Sequence, residues 1–221
     1  MTREAVLSQL AVAIVSLQRS HPLRVAIDGI DASGKTTLAD QLALVIAQHE
    51  RPVIRASIDG FHRPRSQRYQ RGPDSPIGYY EDSFDYAALQ LVLLNPLGPR
   101  GSRRYRRAVF DVRNDVLLIP EEEAAPSNAI LLFDGVFLLR PELHALWDYC
   151  IFVQVDFEVA LQRAMIRDQE LFGSSEAVRT RYLQRYIPGQ RLYFQAVNPQ
   201  KQADVIVENN DLVQPQLAFL D

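Results

Sequence analysis

Lysine is almost missing from this chain of 221 residues: Lys35 and Lys201 are the only ones among 24 basic side chains, and arginine fills the rest. Cysteine occurs once, as Cys150 in the apolar run "YCIFVQV", which excludes an internal disulfide and suits a small buried hydrophobe in a reducing compartment. The 4 histidines, His21, His49, His62 and His144, show no metal-ligand spacing. His21, His49 and His144 read as solvated, and only His62, following "DGF", has a functional case. No apolar stretch nears the roughly 20 residues that cross a bilayer. The opening "MTREAVLSQLAVAIVSLQRS" looks like a secretory leader, but Glu4, Ser8 and Gln9 interrupt it and no small-residue cleavage site follows. Val6, Leu7, Leu10, Ile14 and Leu17 recur at helical spacing instead, which predicts an amphipathic helix within residues 1–20 packed on the body. A cytoplasmic chain with no membrane partner is expected. Charge of one sign is lacking too: a net charge of −3 and no RNA-binding motif argue against nucleic acid as a partner.

What is present is globular composition, 47% hydrophobic and 23% charged, with no repeat and no linker, so residues 1–221 read as one domain. Strand candidates are Leu23–Ile27, Pro52–Ile58, Ala129–Phe133, Cys150–Val155 and Val205–Val207. Helices are expected at Gly34–His49, Ser83–Leu94, Phe157–Leu171 and Ser175–Phe194. This alternation predicts an α/β fold, a three-layer sandwich with a mainly parallel sheet and helices on both faces. "RRYRRAVFDVRNDVLLI" reads as two short strands, Tyr105–Asp111 and Asp115–Ile119, in a hairpin beside the sheet, and "EEEAAPSN" (Glu121–Asn128) reads as an exposed loop. Residues 60–82 form a long non-periodic stretch whose Phe61, Tyr69, Tyr79 and Tyr80 argue against disorder, so a functional loop is expected. Arginines crowd two segments, Arg63 to Arg71 and Arg100 to Arg113. They are either a solvated surface or guanidinium forks facing phosphate or sugar.

"GIDASGKTT" answers why a lysine survives at position 35. Gly29, Ile30, Asp31, Ala32, Ser33, Gly34, Lys35 and Thr36 match G-x-x-x-x-G-K-[ST] in full, with the strand "RVAI" before and a helical pattern after. Such a P-loop cradles phosphates with backbone N–H groups and the N-terminus of the next helix. Gly29, Asp31, Ala32, Ser33, Gly34, Lys35, Thr36 and Thr37 are the candidate ATP-binding residues. A compact ammonium serves the β- and γ-phosphates better than a planar fork, and Thr36 supplies its hydroxyl to Mg²⁺. Asp59, ending "PVIRASID", could accept a proton from an attacking hydroxyl, lie in the metal's shell, or merely sit in a turn. Asp134 in "AILLFDG" fits the carboxylate that holds Mg²⁺ through water in a Walker B strand, although Asp-Gly is also a turn pair. A GTPase switch would need a base-reading N-K-x-D, and Gln200 precedes the only other lysine.

"GIDASGKTT", "SIDGFH", "SPIGYYEDSFDYAAL", "ILLFDGVFLL" and "YFQAVNPQKQADVIV" occur in the order found in the uridine kinase-like P-loop kinases, which the chain resembles from Arg24 to about Glu208. The resemblance implies transfer of the γ-phosphoryl of ATP, with Mg²⁺, to a hydroxyl of a small metabolite, a nucleoside first. Pantothenate, nicotinamide riboside or a sugar is the alternative acceptor, and a non-catalytic NTP-binding regulator is the second alternative; self-association is left open. Asp59 then resembles the general base and Asp85 in "SFDY" the carboxylate that holds a ribose diol, with His62 and Tyr80 beside the acceptor. Arg163 and Arg167 in "LQRAMIRD" resemble lid arginines; their spacing of four suits a solvated helix face equally. The chain departs from the uridine pattern in "AVFDVRND", which lacks the histidine that reads the pyrimidine. Residues 60–82 and 100–119 are expected as a substrate-side loop and small lid, with Arg113 reading the acceptor.

Overall fold

The hydroxyl of Thr2 accepts a hydrogen bond from the Ala5 amide at 3.2 Å and caps α1 (Arg3–Ser16), satisfying one of the donors that a helix N-terminus leaves free. Val6, Leu7, Leu10 and Ile14 are buried as their spacing predicts, with Ala11 between them. The computed structural model describes residues 1–220. β1 (Leu23–Gly29) is buried along its whole length, the pattern of a central parallel strand covered on both faces. It feeds α2 (Lys35–Ala47) and then β2 (Val53–Ser57). After a 3₁₀ turn at Ile58–Phe61, the stretch that reads as non-periodic contains two short helices, α3 (Arg65–Arg68) and α4 (Pro76–Asp82). Ser75 caps α4 through the Gly78 amide, and Pro76 occupies the first turn, where its missing N–H costs nothing. The helix expected from Ser83 starts only at Tyr86, because Asp85 caps it by accepting from the Ala88 amide at 2.9 Å. This α5 (Tyr86–Leu89) widens into a π-turn over Gln90–Leu94.

β3 (Arg104–Tyr105), β4 (Phe110–Asp111), β5 (Val116–Leu117) and β6 (Glu123–Ala124) build two antiparallel ribbons outside the main sheet, β3 with β6 and β4 with β5. The expected hairpin is therefore split. Phe110–Asp111 does pair with Val116–Leu117, but Tyr105 pairs with Glu123. "EEEAAPSN" is not simply a loop: Glu123 takes Arg107 at 2.6 Å, and Glu122 takes Arg104 and Arg106 at 3.2 and 3.4 Å. Much of the arginine cluster is thus neutralised by glutamates a dozen or more residues on, in exposed pairs worth about 0–1 kcal/mol each.

β7 (Ile130–Gly135) follows, then α6 (Pro141–His144), β8 (Tyr149–Gln154), α7 (Phe157–Arg167), α8 (Gln169–Phe172) and α9 (Ser175–Arg181). α9 continues through a π-turn at Tyr182–Tyr186 into α10 (Ile187–Val197), and the chain ends in β9 (Val205–Glu208) and β10 (Gln216–Phe219). The helix expected over Phe157–Leu171 breaks at Asp168, and β10, a largely exposed edge strand, carries no apolar alternation that would have announced it.

The main sheet has six strands in the order β10-β9-β8-β1-β7-β2, parallel except for β10. α1 and α2 cover one face through Leu10, Ile14, Leu38 and Leu42 against Val25, Ile27, Leu132 and Ile151. The other face packs Leu131, Phe133 and Phe152 against Leu89, Phe137 and Tyr193. This is the three-layer P-loop architecture, and its register decides the site: Asp134 lies opposite Ile27 of β1 and Ser57 of β2. Ligand crevices open at such carboxyl ends. At the opposite end, Arg24 donates to Asp148 through Nε at 3.0 Å and Nη2 at 3.2 Å, with His21 Nε2 3.7 Å from the same carboxylate. His21 is therefore buried rather than solvated, drawn in by an aspartate far along the chain. His144 is half-buried, 3.2 Å from the Gln202 carbonyl, while His49 is exposed as expected. Among the described residues, no helix is long and apolar enough to cross a membrane.

The packing of α1 is testable. Leu10 is fully buried, so Leu10→Ala should cost about 2–5 kcal/mol in urea unfolding. Leu44→Ala, at a position 72% exposed on α2, should change stability by no more than about 0.5 kcal/mol. Equal effects would show that α1 is not part of the core.

Candidate active site

The turn from β1 to α2 closes around backbone donors. Gly34 sits in the left-handed region at φ +93°, where a side chain would also meet Asn209 Nδ2 at 2.8 Å. A Cβ at Gly29 would come within 2.5 Å of the Val153 carbonyl oxygen, so glycine is the residue that fits. Ala32 holds φ +58° without being glycine, a conformation that costs energy and clusters at functional sites. Ser33 Oγ and Arg163 Nη1 are buried and, among the described residues, bond to nothing. Ser33 Oγ lies inside the turn, 3.0 Å from where a Cβ on Gly29 would stand, and an orphaned donor there fits a polyphosphate. Thr37 is exposed in the first turn of α2.

Lys35 folds back into the cradle and donates to the Ile30 carbonyl at 2.6 Å. Burial pushes its ammonium down from the ordinary value, against the opposing charges of Asp31, Asp28 and Asp134. Thr36 Oγ1 donates to Asp134 Oδ2 at 2.7 Å, and Arg55 Nη2 donates to Asp134 Oδ1 at 2.8 Å. A hydroxyl and a carboxylate at the phosphate end are hard oxygen ligands that suit Mg²⁺, which takes few protein ligands and completes its shell with phosphate and water. Among the described residues, no three His, Cys, Asp or Glu side chains gather as an all-protein metal site.

The residues expected beside the acceptor start one strand over. Asp59 opens the 3₁₀ turn after β2, with its side chain 74% exposed and 3.6 Å from His62 Nε2. The His62 ring lies 4.5 Å from that of Phe84 and its Nδ1 is 3.2 Å from the Ser83 carbonyl oxygen. Burial alone would raise the Asp59 carboxyl, but the His62 contact, with Lys35 and Arg167 beyond it, holds it below the ordinary range. Asp85 follows Phe84 with one oxygen spent on its helix cap. Tyr80 is buried, its ring 4.4 Å from the Arg140 guanidinium and edge-on to Phe137. Its neighbour Tyr79 is the one that reaches the cradle, donating to Asp31 Oδ2 at 2.6 Å. Arg113 lies at the exposed turn of the β4–β5 hairpin and, among the described residues, its side chain makes no hydrogen bond or ion pair.

The two arginines of α7 diverge. Arg163 donates to the carbonyls of Asn209 and Asn210 at 2.8 and 2.9 Å. Arg167 is gripped by both oxygens of Asp168 at 2.7 and 3.0 Å and by the Tyr182 hydroxyl, and its charge acts on Asp31, Lys35 and Asp59. Several residues escape a reading of the chain. Asp28 is a fully buried carboxylate that accepts from Tyr193 Oη and from the Gly29 amide; its signal was a lone acid inside an apolar strand. Arg55, Gln190, Tyr193 and Asn209 carry no local signal, because each acquires its role from a partner distant in sequence; Asp168 instead grips its neighbour Arg167.

The model of the Phosphoribulokinase / Uridine kinase family matches residues 25–214. The chain is similar to the uridine kinase of Halalkalibacterium halodurans, at 26% identity over 200 residues, 85% of this chain and 86% of that protein. It is also similar to the uridine kinase of Lactobacillus helveticus, at 28% identity over 193 residues, 84% of this chain and 86% of the relative. A solved structure described as a "possible uridine kinase" from Bacillus stearothermophilus superposes with a TM-score of 0.73 at 21% identity, covering 92% of this chain and 97% of its own. At that identity the superposition speaks for the fold.

Asp28 gives the site a pH signature. Burial pushes its carboxyl up to about 6 from the ordinary 3.8, against the hydrogen bonds from Tyr193 and Gly29. The folded state therefore holds the proton more tightly. The resulting stabilisation is fully present below about pH 3.8 and is lost as pH rises through about 6, on the order of 3 kcal/mol in all. The stability of wild type relative to Asp28→Asn should fall by that order between pH 4 and pH 7 in urea titrations. A constant difference would show that Asp28 is ionised in the fold throughout.

Proposed function

Because the chain belongs to the phosphoribulokinase / uridine kinase family and is a P-loop small-molecule kinase, we propose that it moves the γ-phosphoryl of ATP to a hydroxyl of a small metabolite, a nucleoside first. The observation that carries this reading is the Thr36–Asp134 pair at 2.7 Å, beside Lys35 and one strand from Asp59. In it, Lys35 leaves the Ile30 carbonyl for the β- and γ-phosphates, and the N-terminal amides of α2 hold their oxygens. Thr36 and Asp134 would hold Mg²⁺, which would supply positive charge to the phosphates. The acceptor oxygen forms its bond to the γ-phosphorus as the bond to the ADP oxygen breaks, and its proton passes to Asp59. His62 orients that carboxylate and keeps it ionised. Arg167, immobilised by Asp168 and Tyr182, adds positive charge beside the transferring group, and Arg163 braces the lid on Asn209 and Asn210.

A second reading keeps the chemistry and changes the acceptor. The free fork of Arg113 on the small-lid hairpin suits a carboxylate, phosphate or carbonyl edge, as in a non-pyrimidine acceptor such as pantothenate or nicotinamide riboside. A regulatory nucleotide-binding protein would have no use for Asp59 and His62 beside the cradle.

Coupled ADP release across nucleosides, nicotinamide riboside, pantothenate and sugars decides the acceptor. Wild type should transfer to at least one of them, and Lys35→Ala, folded by circular dichroism, should lose transfer by at least about a hundredfold. ATP turnover indifferent to every acceptor would sink the kinase reading. The pH profile supplies a further check. With Asp59 as proton acceptor, the acid limb of kcat/KM should lie below the ordinary carboxylate range, and His62→Gln should move it to higher pH. A limb unmoved by that substitution would remove His62 from the mechanism.

A further inference from the structure

Asp31, the third residue of the P-loop, is held from the acceptor side. Tyr79 Oη donates to it at 2.6 Å and Gln190 Nε2 at 2.5 Å, and both bonds fall on the same oxygen, Oδ2. Among the described residues, no donor reaches Oδ1. Tyr79 and Gln190 are themselves buried, so their donors fix the carboxylate and leave one oxygen without a donor, on a residue that is only half-buried. The charges of Lys35, Arg167 and Asp59 all act on it. A free carboxylate oxygen there needs a partner that donates. A metal ion is disfavoured by the two neighbouring cations. Arg167 is already gripped by both oxygens of Asp168 and by Tyr182. What remains is water, or a donor brought by the substrate that displaces it.

We propose that Asp31 Oδ1 accepts a hydrogen bond from a second hydroxyl of the phosphate acceptor, so that the reacting end of the substrate is an uncharged polyol. The inference rests on the kinase reading above. It adds a residue that, as part of the P-loop, would otherwise be assigned to the nucleotide alone. Asp31 and Asp59 together also repel an anionic group at the reacting end, so any acid on the acceptor must lie at its far end. Asp31 chooses the substrate without taking its proton.

The experiment compares uridine, cytidine and adenosine with their 2′- and 3′-deoxy counterparts, in wild type and in Asp31→Asn, by coupled ADP release. Binding of a fluorescent ATP analogue is measured alongside. In wild type, one deoxy series should lose about 10- to 100-fold in kcat/KM, the scale of one hydrogen bond to a charged group. In Asp31→Asn, the parent nucleoside should fall by a similar factor while that deoxy counterpart is nearly unaffected, and ATP-analogue binding should not weaken. Parent and deoxy acceptors losing equally, or weakened nucleotide binding with acceptor KM unchanged, would return Asp31 to the nucleotide side and overturn the inference. A wild type that phosphorylates none of these nucleosides defeats the nucleoside reading itself, and this inference with it, a result distinct from a null effect of Asp31→Asn.

Discussion

A lysine ammonium taken out of water, with three carboxylates arranged around it, is the constraint on which this molecule depends. Burying an isolated charge costs several kcal/mol, and the cost is offset only by close, well-placed opposite charges. Lys35 is 8% exposed and feels Asp31, Asp28 and Asp134. Those carboxylates need partners in turn, and the partners come from all over the chain. Tyr193 of α10 holds Asp28, Tyr79 of α4 and Gln190 of α10 hold Asp31, and Thr36 of α2 with Arg55 of β2 holds Asp134. The charge balance of one turn therefore fixes where two helices and a strand must dock.

The same network joins α7 and α9 to the β1–α2 turn. Gln190 and Tyr193, three residues apart, lie on one face of α10 and reach the two aspartates of the β1–α2 turn. α10 is continuous, through the π-turn at Tyr182–Tyr186, with α9. Tyr182 in that turn donates to Asp168, which clamps Arg167. A helix segment thus runs from Arg167 to the carboxylates of the β1–α2 turn. π-turns recur where function requires a helix to be interrupted without being broken. Across the sheet, Phe84, Phe137 and Tyr80 pack together beneath the turn bearing Asp59 and His62, and the hairpin bearing Arg113 joins that turn through Val109 N and the Gly60 carbonyl at 2.8 Å.

The arginines show why composition misleads. Two crowded segments read either as solvated surface or as forks facing anions, yet Glu122 and Glu123 take Arg104, Arg106 and Arg107, and Asp115 takes Arg68 at 2.9 Å. Asp115 also accepts the Arg65 amide, so it fastens the β4–β5 hairpin to the segment at residues 60–82. His21 shows the reverse error, since a histidine flanking a strand reads as solvated and is instead buried over Asp148. In each case the missing information was a partner.

The phosphate cradle, the strands that flank it and the family were legible in the linear order of residues. Gly29, Gly34, Lys35 and Thr36 act through contiguous backbone in a strand, a turn and a helix, and local geometry of that kind is written in local spacing. Asp59 and Asp134 were legible as carboxylates at strand ends, since a parallel sheet brings those ends together. Only the tertiary structure decided which side chains hold these groups and which oxygens they leave free. Asp134 and Thr36 are 98 residues apart, Gln190 and Asp31 159, and Tyr193 and Asp28 165. No periodicity spans such distances. Those pairings follow from strand register and helix docking, which pack the whole core at once and are not specified by any single segment.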